Sequence, residues 1–415
     1  MRIRNLQDIV EWGLCVGCGA CAYACPKQKI QLTDVENVGI RPIVDGDACG
    51  TDCQCLAYCP GYEVDGHAET GPPDAACPTD REFGPVLEVW EGYAADPEIR
   101  HAASSGGALT ALALYCLEHE DMGSVIHTAA REDQPHKNQT VASVSRSELL
   151  ARTGSRYAPA SPVEGLAMAE SATQPCVFIG KPCDATAAAA LRRQRPELQE
   201  RLGLIVAFFC AGTPSTRGTI DVMESAGIKP EEAVSVRYRG NGWPGLFHVQ
   251  SQDGTKEVGL TYDQSWGRLQ SYRPFRCHLC PDGLGQVADI TCGDAWHDYA
   301  KEDGNVGLSL ILLRTERGRE IFHRARAAGY LSVEESSADE VRLAQKGLLS
   351  RRTVIFGRAL AMRLLRAPVT RFPGFHLRSN WWRRTGLGLK FRSVVGTIRR
   401  LIKRGLWRRN QLPRS

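Results

Sequence analysis

The chain has no run of eighteen apolar residues. Its longest apolar stretch, around Gly203–Gly212, is too short to span a bilayer. The first residues, Met1-Arg-Ile-Arg-Asn-Leu-Gln-Asp8, contain no apolar signal core. A cytoplasmic location is the resulting expectation, and it argues against reading the 16 cysteines as disulfides. No Gly-x-Gly-x-x-Gly is read as following a strand, so a Rossmann dinucleotide site is not indicated. Acidic residues are missing altogether after Glu340, where 20 Lys or Arg stand in the last 75 residues. The first 340 residues hold 31 basic against 47 acidic side chains, so the net +4 conceals −16 joined to +20.

What the chain does have is cysteine at short spacing. Cys15-x2-Cys18-x2-Cys21-x3-Cys25-Pro26 is the spacing that wraps a loop around a cubane iron–sulfur cluster. Gly17 and Gly19 let the backbone come close, and Pro26 turns the chain away. A zinc knuckle is the competing reading. A second run, Cys49-x3-Cys53-x-Cys55-x3-Cys59-Pro60, has the same length and ending, with its middle cysteine displaced by one position. In two-cluster ferredoxins the fourth cysteine of each run serves the other cluster. On that pattern one 4Fe-4S cluster takes Cys15, Cys18, Cys21 and Cys59, and the other takes Cys49, Cys53, Cys55 and Cys25. Cys77-Pro78 is a spare ligand or an ordinary loop cysteine.

Length allows two or three domains. Residues 1–80 read as a small domain folded around metal. Residues 85–340 read as α/β. Val86–Tyr93, Cys176–Gly180, Gly203–Cys210, Ala288–Thr291 and Leu308–Arg314 are expected strands; Ala108–Glu118, Ala185–Arg193 and Thr216–Ala226 are expected helices. The alternation predicts a mostly parallel sheet with helices on its faces. Residues 341–415 form the basic extension.

Two motifs then fall at expected strand ends, where α/β folds assemble their sites. Gly180-Lys-Pro-Cys183-Asp184 follows one strand, and Asp184 is placed to cap the next helix. Cys210 ends another strand, and Cys277-x2-Cys280-Pro281 is a third cysteine pair. Cys183, Cys210, Cys277 and Cys280 would meet around one further cluster; the competing reading makes Cys183 and Cys210 small buried side chains. Cys116 and Cys176 fit that core reading better.

Phosphate signals are weaker. Ser104-Ser105-Gly106-Gly107 runs into a helix, offering N–H groups to an anion, although an ordinary capped turn explains it equally well. Gly154-Ser155-Arg156-Tyr157 supplies an arginine for phosphate and a tyrosine for a ring, or is a surface loop. The glycine-rich Arg237–Gly245 is a third segment able to wrap a nucleotide.

The ordered set CVGCGACAYACP, SSGG, GSRY, GKPC, FFCAGTPS, CHLC, ADITCGDAW and Gly307-Leu-Ser309 resembles the coenzyme F420 hydrogenase/dehydrogenase beta subunits over about residues 10–320. The resemblance implies an α+β ferredoxin-like two-cluster N-terminal domain, an α/β flavin-binding domain and a basic helical tail. It implies FAD, two or three 4Fe-4S clusters, flavin contacts from SSGG and GSRY, and the later cysteines on a cluster near the flavin. FAD would exchange a hydride with an organic substrate and single electrons with the clusters, fed by a ferredoxin-like donor or a partner redox subunit. The main expectation is a free-standing oxidoreductase, with cell-surface polysaccharide synthesis as its setting. The alternatives are an F420-linked hydrogenase or formate dehydrogenase subunit, or a non-enzymatic electron-transfer protein. Lys181 departs from the small residue expected in GKPC. Asp294 or His297, beside Trp296, could supply a proton, with a structural role the first reading for both.

In the tail, Phe391, Val394, Val395, Ile398, Leu401 and Ile402 recur at helical spacing among arginines, with Trp381, Trp382 and Trp407 nearby. A basic amphipathic helix suits an anionic membrane surface at the inner face. The chain's own acidic body or a protein partner is the second reading. Nucleic acid is not expected, because no recognition fold supports it.

Overall fold

The computed structural model describes residues 3–44, 54–67, 79–80, 82–296 and 307–410. Cys49, Cys53, Cys77 and His297 lie outside the described residues. The largest element is an eight-stranded sheet. Its strands are β1 (Glu88–Ala94), β2 (Ser124–Ala130), β3 (Asn138–Ser143), β4 (Cys176–Gly180), β5 (Leu202–Phe208), β6 (Ile290–Asp294), β7 (Ser309–Leu313) and β8 (Leu331–Glu335). In space the order is β8-β1-β7-β6-β5-β4-β2-β3.

Strands β2, β4, β5 and β6 run parallel in the middle. Helices cover both faces of such strands, which is why β4 and β5 read as unbroken apolar runs. Both flanks are antiparallel. The mostly parallel sheet expected from alternation is therefore a mixed one. At one edge the cause is chain length: residues 131–137 join β2 to β3 and are too few for the crossover helix a parallel neighbour needs. The helices of this layer include α1 (Ala108–His119), α2 (Pro182–Gln194) and α3 (Thr216–Ser225). The Lys181 backbone N–H donates to Asp184 Oδ2 at 2.9 Å, so Asp184 does cap α2.

A separate three-stranded antiparallel sheet is formed by Ala233–Arg237, Phe247–Ser251 and Glu257–Leu260. Gly240-Asn-Gly-Trp-Pro-Gly245 has the Gly-x-Gly-x-x-Gly spacing and does follow a strand, contrary to the expectation. It leads into another strand rather than a helix, so no helix N-terminus is there for a pyrophosphate.

The N-terminal segment has little regular structure: the short helix Leu6–Glu11, the turn Ala20–Tyr23 and the hairpin Ile30–Val35 with Gly39–Val44. Leu6, Cys21, Ile30 and Cys55 form a small core within it. Ile9, Trp12 and Leu14 share one with Phe275, Leu279, Met362 and Leu401. The last 75 residues form α4 (Lys346–Leu364), α5 (Leu377–Arg384) and α6 (Leu387–Lys403), and supply part of that core through α4, α6 and the residues that follow each. The basic chain also returns to the acidic body. Arg409 pairs with Asp8 at 2.5 Å and Glu11 at 3.2 Å, and Arg384 with Glu82.

Candidate functional site

Two adjoining cavities open at the C-terminal ends of the parallel strands. The smaller, about 50 Å³, is lined by Cys183, Cys210, Cys277 and Cys280, the four thiols expected to meet. Cys183 arrives just after β4 and Cys210 just after β5, so strand ends set two of them. Cys277 and Cys280 come from the short helix Phe275–His278 and the turn after it. All four are free thiols. Burial pushes Cys210 up to about 12, with Cys277 and Cys280 adding to it. Burial and then Asp184 hold Cys183 well above the usual thiol range, against the pull of Lys181. Neutral thiols crowded this way become thiolates when a metal centre supplies positive charge.

Cations ring this cavity: Lys181, Arg276 and Arg351. Burial alone would lower the Lys181 ammonium, but Asp184 at 2.7 Å and Cys183 hold it above its ordinary value, so it stays charged. Arg351, on α4, donates to the carbonyls of Ala211 at 2.7 Å and Cys210 at 3.0 Å. Arg276 donates one N–H to the Pro60 carbonyl at 2.9 Å, while its Nε and Nη1 are buried with no protein acceptor among the described residues. Buried donors of this kind call for an acceptor the protein does not itself provide. Inorganic sulfide or thiolate sulfur of a cluster fits that need.

Cys15 also lines this cavity, which brings the N-terminal cysteines next to it. Cys15, Cys18, Cys21 and Cys59 are electrostatic neighbours of one another. Burial, then Cys15, push Cys59 up to about 11. The cross-run grouping of Cys59 with the first three cysteines is thus a spatial one. Cys25 packs instead with Cys55, Cys21 and Ile30. Among the described residues no three His, Cys, Asp or Glu close around a single ion. A cubane does not ask for that, since each thiolate takes a different iron. Cys116, Cys176 and Cys292 are buried core residues.

The larger cavity, about 300 Å³, is lined by Ser104, Ser105 and Gly107 together with Gly154, Ser155, Arg156 and Tyr157. The two motifs touch: Ser155 N–H donates to Ser104 Oγ at 2.6 Å. Ser105 Oγ donates to the Leu308 carbonyl at 3.0 Å and lies 3.1 Å from Ser309 Oγ, joining SSGG to Gly307-Leu-Ser309. Gly106 must be glycine here, because a Cβ would sit 2.6 Å from the Gly92 carbonyl oxygen. Gly107 takes φ +81° as the chain enters α1.

Arg156 differs from its expected role. Its guanidinium donates to the Asn138 side chain and to the carbonyls of Val236, Pro135 and Lys137, so it ties loops together rather than presenting a free charge for phosphate. Asp294, in the wall of this cavity, is held by two partners. Arg239 donates to both its oxygens at 2.8 Å, and Trp243 Nε1 to one at 2.9 Å. Around this pair stand Tyr157, Tyr262, Trp266 and Trp296, an aromatic wall to which Tyr262 and Trp266 come unforeseen. Gln345 and Leu348, from beyond residue 340, line the same cavity. His127, also in the wall, lies 2.8 Å from Ser143 Oγ; burial and the Arg152 charge press it down to about 4, so it is neutral.

The cavities share a wall. Ala160, Lys181, Cys210, Gly212 and Thr213 line both. The two flavin-motif candidates, the four later thiols and Cys15 are therefore one continuous neighbourhood.

Three segments of the chain match known domains. Residues 9–28 match a 4Fe-4S binding domain. Residues 89–167 and 174–339 match the N-terminal and C-terminal domains of coenzyme F420 hydrogenase/dehydrogenase beta subunits. The coenzyme F420 hydrogenase subunit beta of Methanococcus voltae is 28% identical over 265 residues, covering 63% of this chain and 88% of that one. The F420-dependent formate dehydrogenase subunit beta of Methanocaldococcus jannaschii is 23% identical over 257 residues, covering 61% and 63%. The fold is shared with a chain of the F420-reducing [NiFe] hydrogenase complex from Methanosarcina barkeri, at TM-score 0.53 and 22% identity over 68% of this chain and 96% of that one. With the cluster domain, the two beta-subunit domains and their ordered motifs all present, the chain belongs to the family of coenzyme F420 hydrogenase/dehydrogenase beta subunits.

Proposed function

We propose that this protein is an iron–sulfur flavoprotein linked to coenzyme F420, passing electrons between that deazaflavin and a partner redox subunit. The observation that carries the reading is the wall shared by the two cavities, with Cys210 lining both. When bound, FAD supplies hydride exchange on one side and single-electron exchange on the other, while clusters carry electrons only singly. The larger cavity would hold FAD. There the start of α1 offers backbone N–H groups to its phosphates, and the Ser104 and Ser105 hydroxyls fix the loops. The aromatic wall excludes water from the ring end. Cys183, Cys210, Cys277 and Cys280 would hold one cluster, and Cys15, Cys18, Cys21 and Cys59 another. Cys25 and Cys55 would serve the third, with Cys49 and Cys53 completing it. Lys181 keeps a fixed positive charge at the shared wall.

The relatives named above are hydrogenase and dehydrogenase subunits, which favours the F420-linked reading over the free-standing one. Polysaccharide synthesis has no support among them. The test is anaerobic purification with quantification of iron, sulfide and flavin, followed by titration with reduced F420. The expected result is about eight to twelve irons, one flavin per chain, and bleaching of the flavin band. A chain without flavin overturns the proposal. Bound flavin that reduced F420 leaves oxidised overturns the F420 link alone and returns the flavin to another organic substrate.

A further inference from the structure

The redox reading leaves the outer surface of the C-terminal helices unused. Helix α6 turns only part of its apolar surface toward the protein: Leu401 is buried, and Val394, Val395 and Ile398 are half-buried. Its buried positions are Ser393, Thr397 and Leu401. The approach to α4 is so close that a Cβ on Gly357 would overlap Ser393 Oγ, and Trp381 Nε1 donates to that hydroxyl at 3.2 Å. Small hydroxyl residues thus make the helix contact. The apolar stripe Leu387, Phe391, Val394, Val395, Ile398 and Ile402 lies to one side of it. Leu387 is 84% exposed, Phe391 70% and Ile402 55%. Trp382, next to it on α5, is 59% exposed, with Lys390 Nζ 4.9 Å from its ring centre.

Charge borders the stripe. Arg392, Arg399, Lys403 and Arg404 are outward, and none pairs with a carboxylate among the described residues. An open groove beside Trp382 adds Arg363, Arg378 and Arg383 from α4 and α5. A globular surface does not leave large apolar side chains in water beside uncompensated arginines without something to cover both. A protein partner would have to offer a carboxylate-rich apolar groove. An anionic bilayer offers acyl chains under a plane of phosphates at once, and matches a segment with no acidic residue. No helix among the described residues is long and apolar enough to cross a membrane, so the contact would be a flat one.

We infer that α5 and α6 dock the protein on an anionic membrane. Helix α6 lies along the interface, with Leu387, Phe391 and Ile402 below the headgroups and the arginines at lipid phosphate. This goes beyond the redox reading and does not depend on it.

The test is flotation of the full-length, cofactor-loaded protein with phosphatidylcholine vesicles, with and without phosphatidylglycerol. Phosphatidylglycerol should tighten binding about tenfold or more, and raised salt should reverse the gain. Two paired variants on exposed positions separate the contributions: Phe391→Ser with Ile402→Ser, and Arg392→Gln with Arg399→Gln. Each should weaken vesicle binding about tenfold or more while iron and flavin content stay at wild-type values. Three results would overturn the inference. They are wild-type protein that stays in solution, equal binding to neutral vesicles, and variants that float like wild type. The first assigns the surface to a protein partner instead.

Discussion

The thiol cavity and the larger cavity lie against each other but are built in opposite ways. The first gathers cysteines, Cys15 with the four later thiols, each carrying its chemistry in its own side chain. The second draws on segments from Ala103 to Leu348, and much of its polar surface is spent on holding the loops themselves. The small cavity therefore depends on which side chains are present, and the larger one on how loops are held. Substitution should separate the two.

The largest effect should come from removing a ligand. Cys277→Ser is expected to release about four irons per chain while leaving flavin bound, read by iron, sulfide and flavin quantification. Unchanged iron would mean the small cavity holds no cluster. In the larger cavity the sharpest break is Arg239→Leu, which leaves the Asp294 carboxylate facing the aromatic wall without its bidentate partner. Removing one member of a buried pair costs about 3–5 kcal/mol. Thermal unfolding should register it, and adding Asp294→Asn should recover part; melting at the wild-type temperature would show the pair does not hold the wall. The smallest effect belongs to Arg276: burial raises the Cys59 and Cys280 thiols, one in each cysteine group, and the Arg276 charge offsets part of that rise in both. Arg276→Met should lower cluster reduction potentials by on the order of 50–100 mV, the scale of one charge at intermediate dielectric. Potentiometric EPR reads this directly, and an unmoved potential would make Arg276 a packing residue only.

The same contrast decides what could be read from sequence. The four later thiols were legible because cysteine is rare in loops without a purpose and strand ends are where sites gather. The nearness of Cys59 to the first run followed from the two-cluster ferredoxin pattern, in which the fourth cysteine crosses to the other run. Arg156 misled because an arginine beside a tyrosine looks like a phosphate contact. Only three dimensions show four acceptors already around it. Tyr262 and Trp266 carried no motif at all, and the mixed flanks of the sheet could not be seen from alternation of strands and helices. The tail reads in sequence as one basic amphipathic object. Its helix contact runs through Ser393 and Thr397, which hydrophobic periodicity cannot detect.

Arg351 has a consequence for the order of assembly. Synthesis delivers the last of the four thiols at Cys280, yet the side chain that clasps the carbonyls of Cys210 and Ala211 arrives some seventy residues later. A nascent chain that already carries all four thiols has still not made the side chain that holds the loop after β5.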